Sequence, residues 1–98
     1  MDNTIDTPAT LRLPPVLDLN AAAPLREKLL GMRGRDVEVD ASCVTRLGAQ
    51  CLQVLLSARL TFQAESAAFA ITDASSDFVN ALGQMGFAPD LTPAKGNP

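Results

Sequence analysis

Between Leu47 and Thr72 the chain carries only two charged residues, Arg59 and Glu65, and the apolar positions from about Gly48 to Ala64 recur at helical spacing. A helix with so little charge cannot face water over most of its circumference, so a sheet or other helices must pack around it. Cys51, Leu52, Val54, Leu55, Leu56 and Ala58 wrap a wide apolar arc. Gln50, Gln53, Ser57 and Thr61 follow one another on a narrow polar stripe. Two readings of that stripe stay open. The glutamines cover a seam between packed elements, or the stripe is a docking face, because uncharged polar side chains cost less to desolvate than charged ones.

Around this helix the pattern alternates. Thr10-Leu11-Arg12-Leu13 and Val16-Leu17-Asp18-Leu19 alternate polar and apolar as half-buried strands do, with Pro14-Pro15 between them, and an antiparallel pair is expected. Asn20 is a candidate N-cap for a first helix with Leu25, Leu29 and Met32 on its buried side, Pro24 near its start and Gly34 at its end. Val37–Asp40 is a short strand and Ala41–Arg46 a loop. Ala67–Thr72 is a nearly continuous apolar run, expected to be central and buried on both faces. Ser75 or Ser76 caps a third helix with Asp77 in its first turn and Phe78, Leu82 and Met85 as its apolar stripe, ending at Gly86. Phe87-Ala88 starts a short last strand. The order implies an α/β fold with right-handed crossovers.

The chain has 98 residues, enough for one core, and its 47% hydrophobic and 19% charged content argues for a packed domain over a disordered chain. We expect a loose N-terminus over 1–8, a domain over 9–91 and an unfolded tail over 92–98. A net charge of −3 with scattered basic residues argues against nucleic acid. No apolar run spans a bilayer and no signal peptide is apparent, so a cytoplasmic protein without membrane insertion is expected. Cys43 and Cys51 match no metal or redox spacing and read as small buried or half-buried residues.

Histidine, tyrosine and tryptophan are absent. That removes the commonest general base and the commonest metal ligand, and leaves catalysis to carboxylates. Asp18, Asp36, Glu38, Asp40 and Asp73 fall near strand ends, but their spacing demands no acid–base pair, and solvated or capping roles are expected. No glycine-rich phosphate loop occurs. The expectation is a non-enzymatic binding module with no cofactor and no metal.

Val39-Asp40-Ala41-Ser42-Cys43-Val44-Thr45-Arg46-Leu47-Gly48-Ala49-Gln50-Cys51-Leu52-Gln53-Val54-Leu55-Leu56 resembles the central signature of STAS domains, the domains of anti-sigma-factor antagonists and sulphate transporters. The family pattern is an apolar strand, Asp-x-Ser-x-Val, a short spacer, Asp-Ser-Ser-Gly and a Leu-rich helix, and the resemblance covers roughly residues 9–91. It implies a STAS-like mixed central sheet of about four to five strands with three or so helices. The wording Arg46–Ala58 is similar to small stand-alone STAS proteins associated with bacterial chemotaxis, which implies a CheA-type histidine kinase or a related two-component protein as partner.

In regulatory members a serine at the start of the Leu-rich helix is phosphorylated, where the helix dipole and free N–H groups favour the anion. The resemblance puts Gln50 at that serine, Gly48-Ala49 at the preceding Asp-Ser, and Cys51 at the glycine. The switch is therefore degenerate, and constitutive binding is implied. The expected partner surface comprises Ser42, Thr45, Arg46, Gly48, Gln50, Gln53 and Ser57. Ser42 is expected to make a local turn hydrogen bond. Two other outcomes stay open: a STAS subunit of a membrane lipid or solute transport complex, and a phospho-regulated anti-anti-sigma factor.

Overall fold

The computed structural model describes residues 8–94, in the order β1 (Ala9–Arg12), β2 (Val16–Leu17), α1 (Leu19–Leu30), β3 (Val37–Asp40), β4 (Arg46–Leu47), α2 (Ala49–Ala64), β5 (Phe69–Thr72) and α3 (Ser76–Gln84). The α/β class and the three helices agree with the sequence expectation. The five strands divide into a three-stranded sheet, β1-β3-β5, and a two-stranded sheet, β2-β4, with every pair parallel.

The antiparallel pairing expected for the first two strands does not form. Leu13, Pro14 and Pro15 supply no residue suited to the positive φ of a tight hairpin. The chain instead bends at Pro15 and passes from one sheet to the other, with β1 beside β3 and β2 beside β4. The run at Phe69–Thr72 is not central either. It forms an edge, and β3, with its Val-Glu-Val-Asp alternation, takes the centre. The run looks continuous because Ala68 and Ala70 are small, yet both are exposed. One face of the sheet is open, presenting Thr10, Arg12, Glu38 and Ala70 to solvent, so a central strand here alternates.

Inward-facing Leu11, Val37 and Val39 join Leu25 and Leu29 of α1, Leu52, Leu55 and Phe62 of α2, and Phe78 and Leu82 of α3 in one buried cluster. Phe62 meets Phe69 with ring centroids 5.5 Å apart and planes tilted by 60°. This contact ties α2 to β5.

Helix boundaries follow their caps. The Asp18 side chain accepts from the N–H groups of Asn20 (3.0 Å) and Ala21 (3.2 Å), so α1 starts ahead of the expected Asn20 cap. Pro24 then falls in the second turn rather than the first, where it removes one i→i−4 bond to the exposed Asn20. Gly31 caps the C-terminus and Gly34, at φ 90°, closes the following turn.

α2 and α3 end alike. After α2, Ser66 N–H donates to Gln63 and Ala67 N–H to Phe62, with Ser66 at φ 60°; after α3, Gly86 donates to Gly83 and Phe87 to Leu82, with Gly86 at φ 91°. Serine at the left-handed position carries a Cβ penalty that glycine avoids. Ser66→Gly is expected to raise stability by about 0.5–1 kcal/mol and Gly86→Ala to lower it by about 1 kcal/mol. Urea titrations of the two variants check the opposite signs.

The short last strand reduces to a single antiparallel bridge between Phe87 and Pro93. Ala88 N–H donates to the Thr92 carbonyl and Ala94 N–H to Gly86, and the fold-back buries Leu91 completely. The rest of the expected tail, 95–98, and the lead-in over 1–7 lie outside the described residues.

Candidate partner-binding site

The loop between β3 and α2 is held from three sides. Asp40 accepts the Ser42 N–H at 2.9 Å, making the local turn expected at Ser42. The Ser42 hydroxyl is exposed and lies 4.0 Å from the Cys43 sulfur. Cys43 is exposed, which corrects the expectation of burial: the turn points it outward and gives the core position to Val44.

The Pro15 carbonyl takes the second side. It accepts from the Thr45 N–H (2.8 Å), the Arg46 N–H (3.1 Å) and the Thr45 hydroxyl (3.1 Å). Arg46 and Leu47, expected to be loop and junction, form β4 beside Val16 and Leu17. Pro15, which has no N–H, thus joins the loop as an acceptor only. Ser75, the N-cap of α3, provides the third side by donating its hydroxyl to the Val44 carbonyl at 2.6 Å and accepting the Phe78 N–H at 3.0 Å.

Gly48 caps α2 without a side-chain bond, and its N–H donates to the Leu17 carbonyl at 2.9 Å. The first i→i−4 bond runs from Leu52 to Gly48 (3.1 Å), so Gln50 lies among the donors that precede it, in a first turn with no acidic residue. Its side chain is exposed. Cys51 faces inward, and its thiol donates to the Asp18 carbonyl at 3.3 Å. Burial, then the Asp18 charge, pushes that thiol up from its ordinary pKa, so it stays protonated and links the start of α2 to the start of α1.

Gln50, Gln53 and Ser57 share one face and line a groove of about 400 Å³ between α1 and α2. The structure gathers these three and separates them from Ser42, Thr45 and Arg46, which line no part of that groove and belong to the loop. Gly48 joins the two groups. The opposite wall comprises Ala22, Arg26, Leu29, Leu30 and Arg33 of α1 and its following turn, of which the sequence pattern singles out only Leu29, as a core residue. Their helical spacing was the available signal. Arg33 also pairs with Glu65 at the end of α2, bracing the groove.

Among the described residues four large apolar side chains are exposed: Val16 (44%), Leu19 (69%), Leu30 (45%) and Leu60 (59%). Val16 is the register partner of Arg46, Leu19 follows the Asp18 carbonyl that holds Cys51, and Leu30 lines the groove. Val16 and Leu30 therefore border the candidate surface, an arrangement suited to a partner that covers them.

Three of the five carboxylates near the strand ends hold the backbone. Asp18 caps α1, Asp36 accepts the Ala68 N–H at 2.8 Å, and Asp40 holds the Ser42 turn. Glu38 and Asp73 are exposed. Among the described residues no group of three or more cysteines and carboxylates is placed to hold a metal ion.

Hydrogen bonds from Ser42, with the Arg12 charge in addition, hold the Asp40 carboxyl below its ordinary range. Arg33 does the same to Glu65, and hydrogen bonds within the Thr92 turn to Asp90. A carboxylate whose folded pKa is depressed contributes stability above its unfolded pKa and loses it as pH falls through the folded value. Stability is expected to stay level from neutral pH down to about pH 5 and to decline below about pH 4. Urea unfolding across that range measures it.

Residues 3–92 match the family described as "Mlab, STAS domain". The chain is a STAS domain. No curated protein sequence matches the chain significantly. STAS domains serve regulatory and binding roles and are generally non-catalytic, which accords with a site built of amides, glutamines and exposed apolar side chains. No helix of this STAS domain, among the described residues, is long and apolar enough to cross a membrane.

Proposed function

We propose that the chain is a non-catalytic STAS adaptor that docks on a CheA-type histidine kinase or a related signalling protein through the β4–α2 turn and the Gln50–Ser57 face, without phosphorylation. The observation that carries this reading is exposed Val16 beside Arg46 in the rigidly braced turn, together with exposed Leu30 on the groove that Gln50, Gln53 and Ser57 line. A preformed loop loses little conformational entropy on binding.

The absence of a phosphate switch has its own support. Gln50 is neutral and has no hydroxyl to accept a phosphoryl group, at the position where the family resemblance expects serine. A phosphate on Ser42 would stand beside an Asp40 carboxylate kept ionised, and like charges oppose it. The Thr45 hydroxyl is already bonded to the Pro15 carbonyl.

Titration of the chain against a purified chemotaxis-type histidine kinase of its own organism, with and without ATP, and intact-mass measurement afterwards, test the proposal. We expect binding of equal affinity in both conditions and no mass gain. A phosphoryl group added at Ser42 or Thr45 sinks the constitutive reading in favour of a phospho-regulated antagonist. Failure to bind the kinase, with co-purification in a membrane transport complex, favours the transport-subunit reading instead.

A further inference from the structure

We infer that the groove between α1 and α2 receives an acidic amphipathic helix of the partner; the inference rests on the docking role proposed above and adds the partner's chemistry. The chain as a whole is acidic, with 11 acidic and 8 basic residues, yet the groove lining includes no aspartate or glutamate and two arginines, Arg26 and Arg33. Both lie on the α1 wall. Arg33 is partly neutralised by Glu65 just outside the groove, whereas Arg26 has no ion pair among the described residues. A cationic wall on an anionic protein selects its ligand by charge and repels the rest of the chain's own surface type.

The other features of the groove fix the shape of that ligand. Its floor is apolar, with Leu29 and Phe62 buried and Leu30 exposed at the rim. The α2 residues that line the groove, from Gln50 to Thr61, are uncharged, since Arg59 lies off that face, and they span about 16 Å at the rise of an α-helix, three turns of a helical ligand. Two helices flanking an apolar trough present the ridges and grooves that a third helix fills, and recognition of this type uses apolar anchors at three- and four-residue spacing. Acidic residues beside those anchors then face Arg26 and Arg33. An extended peptide would leave its backbone donors without acceptors in this trough, since both walls are helices whose backbone groups are already paired.

The test uses the isotope-labelled full chain, observed by amide NMR. The probes are a synthetic amphipathic helical peptide of about four turns, with leucines at every third or fourth position flanked by glutamates, its twin with lysines for glutamates, and vesicles of anionic phospholipid. We expect the acidic peptide to shift the amides of Arg26, Leu30, Gln53 and Ser57, and the lysine twin to bind at least about tenfold more weakly. Arg26→Glu should weaken the acidic peptide by about tenfold and strengthen the lysine twin. Equal binding of the two peptides, no binding of the acidic one, shifts outside the groove, or preferential binding of vesicles would overturn the inference. Shifts confined to Ser42–Leu47 would overturn it while leaving the turn as a docking site. Seating of the acidic peptide in the groove by a chain that binds no signalling partner would sink the adaptor role and leave the groove's chemistry standing.

Discussion

Phe62→Ala is expected to destabilise the domain by about 3–5 kcal/mol, the range for removing a buried aromatic side chain whose cavity cannot collapse. Phe62 is 1% exposed, packs against Phe69 and closes the floor of the α1–α2 groove. Its carbonyl also receives the Ala67 N–H that ends α2. Truncation therefore opens a cavity at the point where α2, β5 and the groove meet. A small domain has about 5–15 kcal/mol in total, so the variant should unfold at a much lower urea concentration than the parent and partly unfold at physiological temperature. Equilibrium urea denaturation read by circular dichroism gives the value. A loss below about 1 kcal/mol would mean that the site is not packed as described.

Gln50→Glu is expected to move stability and binding in opposite directions. Gln50 lies in the first turn of α2, where no acidic residue offsets the exposed N–H groups, and a carboxylate there stabilises a helix by about 0.3–1 kcal/mol. The same charge lies on the uncharged lip of the groove, where a partner must desolvate it, and it stands at the position that the family resemblance assigns to the phosphorylated serine. Partner affinity should fall by at least about tenfold, or 1.4 kcal/mol. The pairing of signs matters because a misfolded variant would lose both. Thermal unfolding and a kinase-binding titration on the same preparation separate the two effects. Unchanged affinity would remove Gln50 from the interface.

How far the sequence carried these conclusions depends on the range of each interaction. The helices were legible because Phe78, Leu82 and Met85, or Leu25 and Leu29, repeat within a few residues, and the Ser75-Ser76 pair announces a cap locally, which the structure assigns to Ser75. β3 was legible from Val37 and Val39 alone. The pairing of β1 with β3 was not, since the Pro14-Pro15 interruption says that a ladder breaks but not where the chain goes next. β4 comprises two residues, too few for any alternation, and exists because Pro15 offers its carbonyl to a loop thirty residues away in sequence. Leu91 is fully buried in a left-handed conformation that no local pattern announces.

The site divides in the same way. The stripe Gln50, Gln53 and Ser57 could be read from spacing, and the structure places all three on the groove. The facing wall of Arg26, Leu30 and Arg33 could not be assigned, because charged residues on α1 read as a solvated face until its partner helix is known. The two groups of expected site residues meet only through Gly48, whose N–H is fixed by Leu17. That anchor fixes the turn that joins loop and helix.

The most direct measurement is hydrogen–deuterium exchange of the chain, free and bound to the signalling kinase. Slowed exchange over Arg46–Ser57, extending to the exposed start of α1 at Leu19, with no change at Thr10, Glu38 and Ala70, is the predicted footprint. Protection confined to the open sheet face, with the β4–α2 turn exchanging as in the free chain, would contradict the account.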